Sequence, residues 1–131
     1  NLVINYALEF LRLYKLAADQ GDTDAQFNLG FCYESGIGVA KDEREAVRLW
    51  KLAADQGDAD AQCNLGVCYE NGTGGLPKDP REAVRLYKLA ADHGHADAHC
   101  YLGLCYENGT GGLPKVPRAA VRVVAQPSGA A

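Results

Sequence analysis

The chain has 131 residues, enough for one compact unit, and its 47% apolar content argues against overall disorder. A net charge of −4 lacks the basic surface that non-specific nucleic-acid binding needs. No apolar run approaches the ~20 residues of a membrane-spanning helix, so membrane insertion is not expected. The start at Asn1, the absence of Met and the lack of a basic-then-apolar leader suggest a fragment or mature piece of something longer.

One phrase occurs three times. From Glu9 it reads EFLRLYKLAADQGDTDAQFNLGFCYESGIG, from Glu45 EAVRLWKLAADQGDADAQCNLGVCYENGTG, and from Glu82 EAVRLYKLAADHGHADAHCYLGLCYENGTG. A repeat of 36 or 37 residues marks a solenoid, in which each unit buries its apolar face only against its neighbours.

In chain order, residues 2–20 place Leu2, Tyr6, Phe10, Leu13, Tyr14 and Ala17 at a helical period and predict an apolar stripe. Gly21 supplies a left-handed stop and Asp22 an N-cap. A second helix follows near 23–35, with Ala25, Leu29 and Cys32 or Tyr33 on one side. Gly36 and Gly38 end it. We call this the LG type, after Leu29-Gly30.

Asp42 and Glu45 form a D-x-x-E capping box for the next helix, and Asp79 and Glu82 repeat it with Pro80 at the first helical position. We call these the EAV type. Their stripes are Ala46, Trp50 and Ala53, then Ala83, Tyr87 and Ala90. Arg44, Arg48 and Lys51 fall on the wet side, with Glu45 placed to support Arg48. EAV helices pass to LG helices through two-residue turns, Gly57-Asp58 and Gly94-His95, which makes them antiparallel neighbours. The reverse connection, Gly72 to Asp79, is longer and rich in turn residues.

The last copy decays. Val116 replaces the capping Asp, Ala119 replaces Glu82, and Val123 and Val124 stand for Leu86 and Tyr87. A frayed helix is expected from Pro117 to about Ala125. Hydrogen exchange as slow there as at Leu86 would refute it. Residues 126–131 read as a disordered tail.

The strongest signature is A-x-x-x-L-G-x-x-Y, then G-x-G-x-x-K-D, then E-A-x-x-x-[YW]-x-x-A-A. It is carried by Ala25, Leu29, Gly30, Tyr33, Ala46, Trp50 and Ala53, and again by Ala61, Leu65, Gly66, Tyr69, Ala83, Tyr87 and Ala90. Ala98, Leu102, Gly103 and Tyr106 begin a third unit. This resembles the Sel-like repeat family, a relative of the tetratricopeptide repeat. The resemblance implies an all-α fold over residues 1–125: an α-solenoid of about seven helices, with antiparallel pairs in a right-handed superhelix. It consists of a leading half-repeat and about three repeats. It implies a protein-interaction scaffold or adaptor whose LG helices line a concave groove. A secreted branch staples each repeat with a disulfide. The matching positions here are Ala54 and Gln62, or Ala91 and His99, so the staple is missing.

By analogy with tetratricopeptide proteins, the groove-facing positions are Phe27, Phe31 and Glu34, then Cys63, Val67 and Glu70, then Cys100, Leu104 and Glu107. Asn28, Asn64 and Tyr101 lie beside them, and Asn28, Asn64, Asn71 and Asn108 could bond a peptide backbone. All thirteen Lys and Arg lie in EAV helices or long loops, and none in an LG helix. The groove is therefore expected to be acidic and its partner basic. Glu34, Glu70 and Glu107 sit at helix C-termini, where a carboxylate is unfavourable by roughly 0.3–1 kcal/mol. Each then needs a partner, of which a nearby Lys or Arg is the plain candidate and a bound ligand the functional one.

Other chemistry is weakly indicated. Five cysteines, an odd number without a staple, favour reduced buried thiols and a cytoplasmic setting. His93, His95, His99 and Cys100 cluster in sequence, but at no familiar metal-ligand spacing. The GTGGLPK loop lacks the Gly-Lys-Ser/Thr ending of a phosphate loop. Asn71-Gly-Thr and Asn108-Gly-Thr are formal glycosylation sequons, relevant only in a secretory setting. No catalytic set emerges, and no enzyme, cofactor or metal is expected. The competing expectation is a structural segment that self-associates end to end, which an exposed apolar end at Leu2, Val3, Ile4 and Tyr6 would favour.

Overall fold

The computed structural model describes residues 1–116, Ala119, Ala120 and Arg122. Six α-helices follow one another: α1 (Leu2–Asp19), α2 (Thr23–Ser35), α3 (Glu43–Asp55), α4 (Ala59–Asn71), α5 (Pro80–Asp92) and α6 (Ala96–Asn108), then a 3₁₀ turn at Thr110–Gly112. There is no strand among the described residues. The expected helix from Pro117 and the tail 126–131 lie largely outside them, although Ala119, Ala120 and Arg122 are helical.

Helix starts follow the caps. Asp22 accepts from the Ala25 N–H at 2.8 Å, Asp42 from Glu45 at 3.1 Å and Asp79 from Glu82 at 3.2 Å. The expected reciprocal half of each capping box does not form. The Asp42 and Asp79 N–H groups donate instead to the Tyr33 and Tyr69 carbonyls, both at 2.8 Å. Each bond satisfies an orphan donor and an orphan carbonyl of the preceding helix together. The Glu45 and Glu82 carboxylates turn outward to Arg48 and Arg85. These exposed pairs contribute little to stability.

The long loop folds back over the preceding hairpin, so that the loop after α4 packs on α3. Gly36, Gly72 and Gly109 close α2, α4 and α6 in the left-handed conformation. Gly74, at φ +65°, lies against α3, where a Cβ would come 2.3 Å from Val47 Cγ2.

Adjacent helices pack in series, most extensively α2 on α3 and α4 on α5, the pairs joined by the longer loops. The contact at the centre of each such pair is a ring on a glycine. Trp50 covers Gly30, where an added Cβ would be 2.6 Å from Nε1, and Tyr87 covers Gly66, where it would be 2.7 Å from Cε1. Trp50 is 3% exposed and Tyr87 0%. Their polar tips are satisfied, as buried polar groups must be. The Trp50 N–H donates to the Phe27 carbonyl at 3.1 Å and the Tyr87 hydroxyl to Glu70 at 2.6 Å. The small Ala46, Ala53, Ala83 and Ala90 let the backbones approach and are fully buried.

Gln26 and Gln62 tie each short-turn pair, donating to the Ala18 and Ala54 carbonyls at 3.1 and 3.3 Å. The pair Ala54 and Gln62 is thus joined by a hydrogen bond, at the positions where the resemblance would place a disulfide staple.

One expected stripe is not buried. On α1 only Leu11 and Ala18 are buried, while Leu2, Tyr6, Phe10 and Leu13 are exposed. The α1 face that meets α2 is covered. The opposite face, which on α3 and α5 is covered by the preceding LG helix, has no such neighbour among the described residues.

Candidate functional site

The three LG helices α2, α4 and α6 contribute to one cavity of about 340 Å³. Phe31 and Glu34 come from α2, Asn64, Val67, Cys68 and Asn71 from α4, and Tyr101 from α6. Glu43, Val47 and Trp50 of α3 and the loop residues Thr73 and Gly74 complete the wall. Two carboxylates, two carboxamides and several apolar side chains therefore converge, and the lining contains no Lys or Arg. Such a surface can accept hydrogen bonds from cations, bond an extended backbone through the amides, and hold an apolar side chain.

Of the expected groove residues, Phe31, Glu34, Asn64, Val67 and Tyr101 meet here. Phe27 does not line the cavity. It is half-buried against the core, and its carbonyl holds the Trp50 ring. Asn28 faces a separate, more open cleft beside Phe10, Leu13 and Tyr14 of α1.

Cys63 is a correction. It is 3% exposed and packed with Ala83, Tyr87 and Ala98, because α5 covers the N-terminal half of α4. Burial, with lesser contributions from Asp97 and Asp60, pushes its thiol up to about 11. Cys32, Cys68 and Cys105 are also buried free thiols raised by desolvation, which makes them poor nucleophiles. Cys100 departs from this pattern and is exposed.

Glu70 is committed elsewhere. It accepts from the Tyr87 hydroxyl, and burial together with the Glu70 carboxylate raises the phenol far above its ordinary range. The expected Lys or Arg partner is therefore replaced by a phenol. Glu34 remains exposed at the mouth of the cavity, because the ring in its repeat is Trp50, whose N–H goes to a carbonyl instead. Leu104 and the half-buried Glu107 lie on α6 outside the cavity lining.

Glu43, Val47 and Trp50 escaped the sequence reading, which assigned α3 to core and wet faces only. The one available signal is Trp50 itself, a larger ring where the other two copies have Tyr14 and Tyr87.

The histidine cluster does not assemble. His95 caps α6, its Nδ1 accepting from the Ala98 N–H at 3.2 Å, and its Nε2 lies 2.8 Å from Asp60 Oδ1. With Nδ1 an acceptor, Nε2 carries the proton and donates it. His93, His99 and Cys100 are exposed. Among the described residues no three His, Cys, Asp or Glu side chains come together as metal ligands, and no helix is long and apolar enough to cross a membrane.

The Sel1 repeat pattern matches residues 11–22, 23–58, 59–95 and 96–122, which is most of the chain. Its units run from an LG helix to the next EAV helix, the same pairs that pack most extensively. A Sel1 repeat protein from Oxalobacter formigenes superposes with a TM-score of 0.79 at 41% identity, over 87% of this chain and 46% of that one. The protective antigen c5321 of uropathogenic Escherichia coli, which has an SLR fold, superposes at 0.73 and 31% identity, over 86% of this chain and 24% of that one. A rat protein named DAP3-binding cell death enhancer 1 is 46% identical over 37 residues, 28% of this chain and 7% of its own length. The chain thus spans less than half the length of each of these relatives. Sel1 repeats generally mediate protein–protein interaction, and this chain belongs to the Sel1 repeat family.

Proposed function

We propose that the chain is a non-enzymatic interaction module that holds a basic peptide or protein segment in the cavity shared by α2, α4 and α6. The observation that carries this is the charge layout. The three LG helices contain no Lys or Arg, and Glu34 and Glu43 stand at the cavity where they converge. Phe31, Val67, Trp50 and Tyr101 supply apolar contact, and Asn64 and Asn71 supply backbone recognition. No cofactor or metal belongs to this reading.

Trp50 is the sole tryptophan and lines the cavity, so its fluorescence reports occupancy. An arginine-rich nonapeptide titrated into the protein should change that signal. Its affinity should fall as salt rises from 50 to 500 mM (about a tenfold range, over which the Debye length shrinks severalfold). Glu34→Gln with Glu43→Gln should weaken binding about tenfold, since a paired charge typically contributes of order 1 kcal/mol or more. Glu70 is unsuitable as a probe because its loss would disturb Tyr87. Binding indifferent to salt and to the double substitution would defeat the proposal.

A further inference from the structure

We infer that the furrow between α3 and α5, floored by α4, binds a primary carboxamide: the side chain of a glutamine in an extended segment of a partner protein. The furrow holds a cavity of about 400 Å³, within the size range of ligand pockets. Its walls come from three consecutive helices in the middle of the chain and the turn between α3 and α4. It shares no lining residue with the cavity formed by α2, α4 and α6.

Gln62 lines the furrow and is 4% exposed, and its Oε1 has no hydrogen-bond partner among the described residues. Its Nε2 donates to the Ala54 carbonyl, which fixes the orientation of the amide and leaves Oε1 as an unanswered acceptor. Such buried acceptors are normally satisfied. The preceding repeat shows what this oxygen takes. There Gln26 donates to the Ala18 carbonyl in the same way, and its Oε1 accepts from Gln56 Nε2 at 3.0 Å. The same Nε2 donates to the Leu52 carbonyl at 3.0 Å, so one carboxamide bridges two acceptors. At the next boundary Leu89 holds the place of Leu52, but His93 holds the place of Gln56, and it is exposed and makes no bond to Gln62. The slot of the first boundary is therefore repeated at the second without the glutamine that fills it.

The wall charges favour a neutral donor. Arg85 is bonded to Glu82, and Asp55 also helps to hold its charge, so both carboxylates of the furrow are engaged. Lys51 is left as the uncompensated charge on the opposite wall and disfavours an incoming ammonium. A carboxylate offers Gln62 no donor at neutral pH. A carboxamide donates to Gln62 Oε1 and turns its own carbonyl toward Lys51. Leu65, Leu86 and the 36% exposed Leu89 take the aliphatic part of the segment.

The test is a titration of the 15N-labelled full chain with acetyl-Leu-Gln-Leu N-methylamide, followed by two-dimensional NMR. The peptide should shift the side-chain amide of Gln62 and the backbone amides of Gly57 and Leu89, with a Kd of about 1 mM. These signals are remote from Trp50, so the result is independent of peptide binding in the other cavity. The same peptide with Glu in place of Gln should bind at least about tenfold more weakly, because it brings lone pairs where a donor is needed. His93→Gln supplies the donor from within the chain and should exclude the peptide while the fold is kept. Leu89→Ser, at an exposed position, should weaken binding severalfold and leave the helical content unchanged. Equal binding of the Gln and Glu peptides overturns the proposal. So does undiminished binding to the His93→Gln variant, or an absence of shifts at Gln62 up to about 10 mM peptide, ten times that Kd.

Discussion

Gly30, Gly66 and Gly103 occupy one position in three copies, yet the side chains around them make their roles differ. At Gly66 an added methyl would meet Tyr87 at 2.7 and 2.9 Å, and the ring is wedged among Ala83, Ala90 and Cys105. Overpacking there costs about 1–3 kcal/mol, against a helix-propensity gain of about 1 kcal/mol. Gly66→Ala should therefore lower the urea midpoint. Gly103→Ala should raise the midpoint, with a gain in stability of up to about 1 kcal/mol, since it gains propensity and meets nothing within 4 Å among the described residues. Equal effects at the two sites would contradict the ring-on-glycine account. A second contrast involves glutamine. Gln56 donates to Gln26 Oε1 at 3.0 Å across one repeat boundary, but the next boundary has His93 at that place, and the buried Gln62 Oε1 has no partner. His93→Gln should supply the missing donor and stabilise the fold by about 1 kcal/mol. No gain in midpoint would mean that the second boundary holds its helices too far apart for the bond. The repeated Ala, Leu, Gly and Tyr pattern was legible because each copy states it. The burial of Cys63 and the Tyr87–Glu70 bond were not, because both depend on which way a ring from another helix leans.

At the scale of the helix, α4 is the one with an uneasy start. Its N-cap Asp58 makes no side-chain capping bond, and its Oδ2 is buried without a partner. Burial first, then the Asp60 and Asp24 carboxylates, raise its carboxyl above the ordinary value of 3.8, with the Ala61 and Asp60 N–H groups pulling the other way. A folded value raised above the unfolded one means that the native state favours the protonated form. The associated stability is fully present below pH 3.8 and is lost as pH rises through the raised value. At neutral pH the charged Asp58 is therefore a cost. Asparagine caps as well as aspartate and carries no charge. Asp58→Asn should stabilise the protein at pH 7, and its advantage should shrink as pH falls toward 4. An advantage that does not change with pH would point to cap geometry rather than charge. Helix boundaries were readable from Asp and Gly at each end. The failure of the reciprocal capping box was not, because the competing acceptors, the Tyr33 and Tyr69 carbonyls, reach those N–H groups only once the loop has folded back.

At the scale of the whole molecule, three small cores follow one another among the described residues, each built from neighbouring helices. Stability is then close to a sum of local interfaces, and protection should follow the number of neighbours each helix has. Amide hydrogen exchange should be slowest in α2, α3, α4 and α5, each of which packs against a helix on both sides, and faster in α1. Uniform protection along the chain would indicate a single cooperative core instead.

The sequence by itself determined that helices alternate, where each begins and ends, and that LG helices carry no cation, because period, caps and charge are local properties written in every copy. Only the tertiary structure decided which helices pair most closely and which groove residues meet. The short turn made EAV and LG helices antiparallel neighbours, but the more extensive contact runs across the long loop, where a ring can sit on a glycine of the facing helix. The same packing brought Glu43 and Trp50 to the cavity and withdrew Cys63 and Glu70 from it. Side-chain size at a contact between distant residues sets that outcome, and no spacing along the chain encodes it.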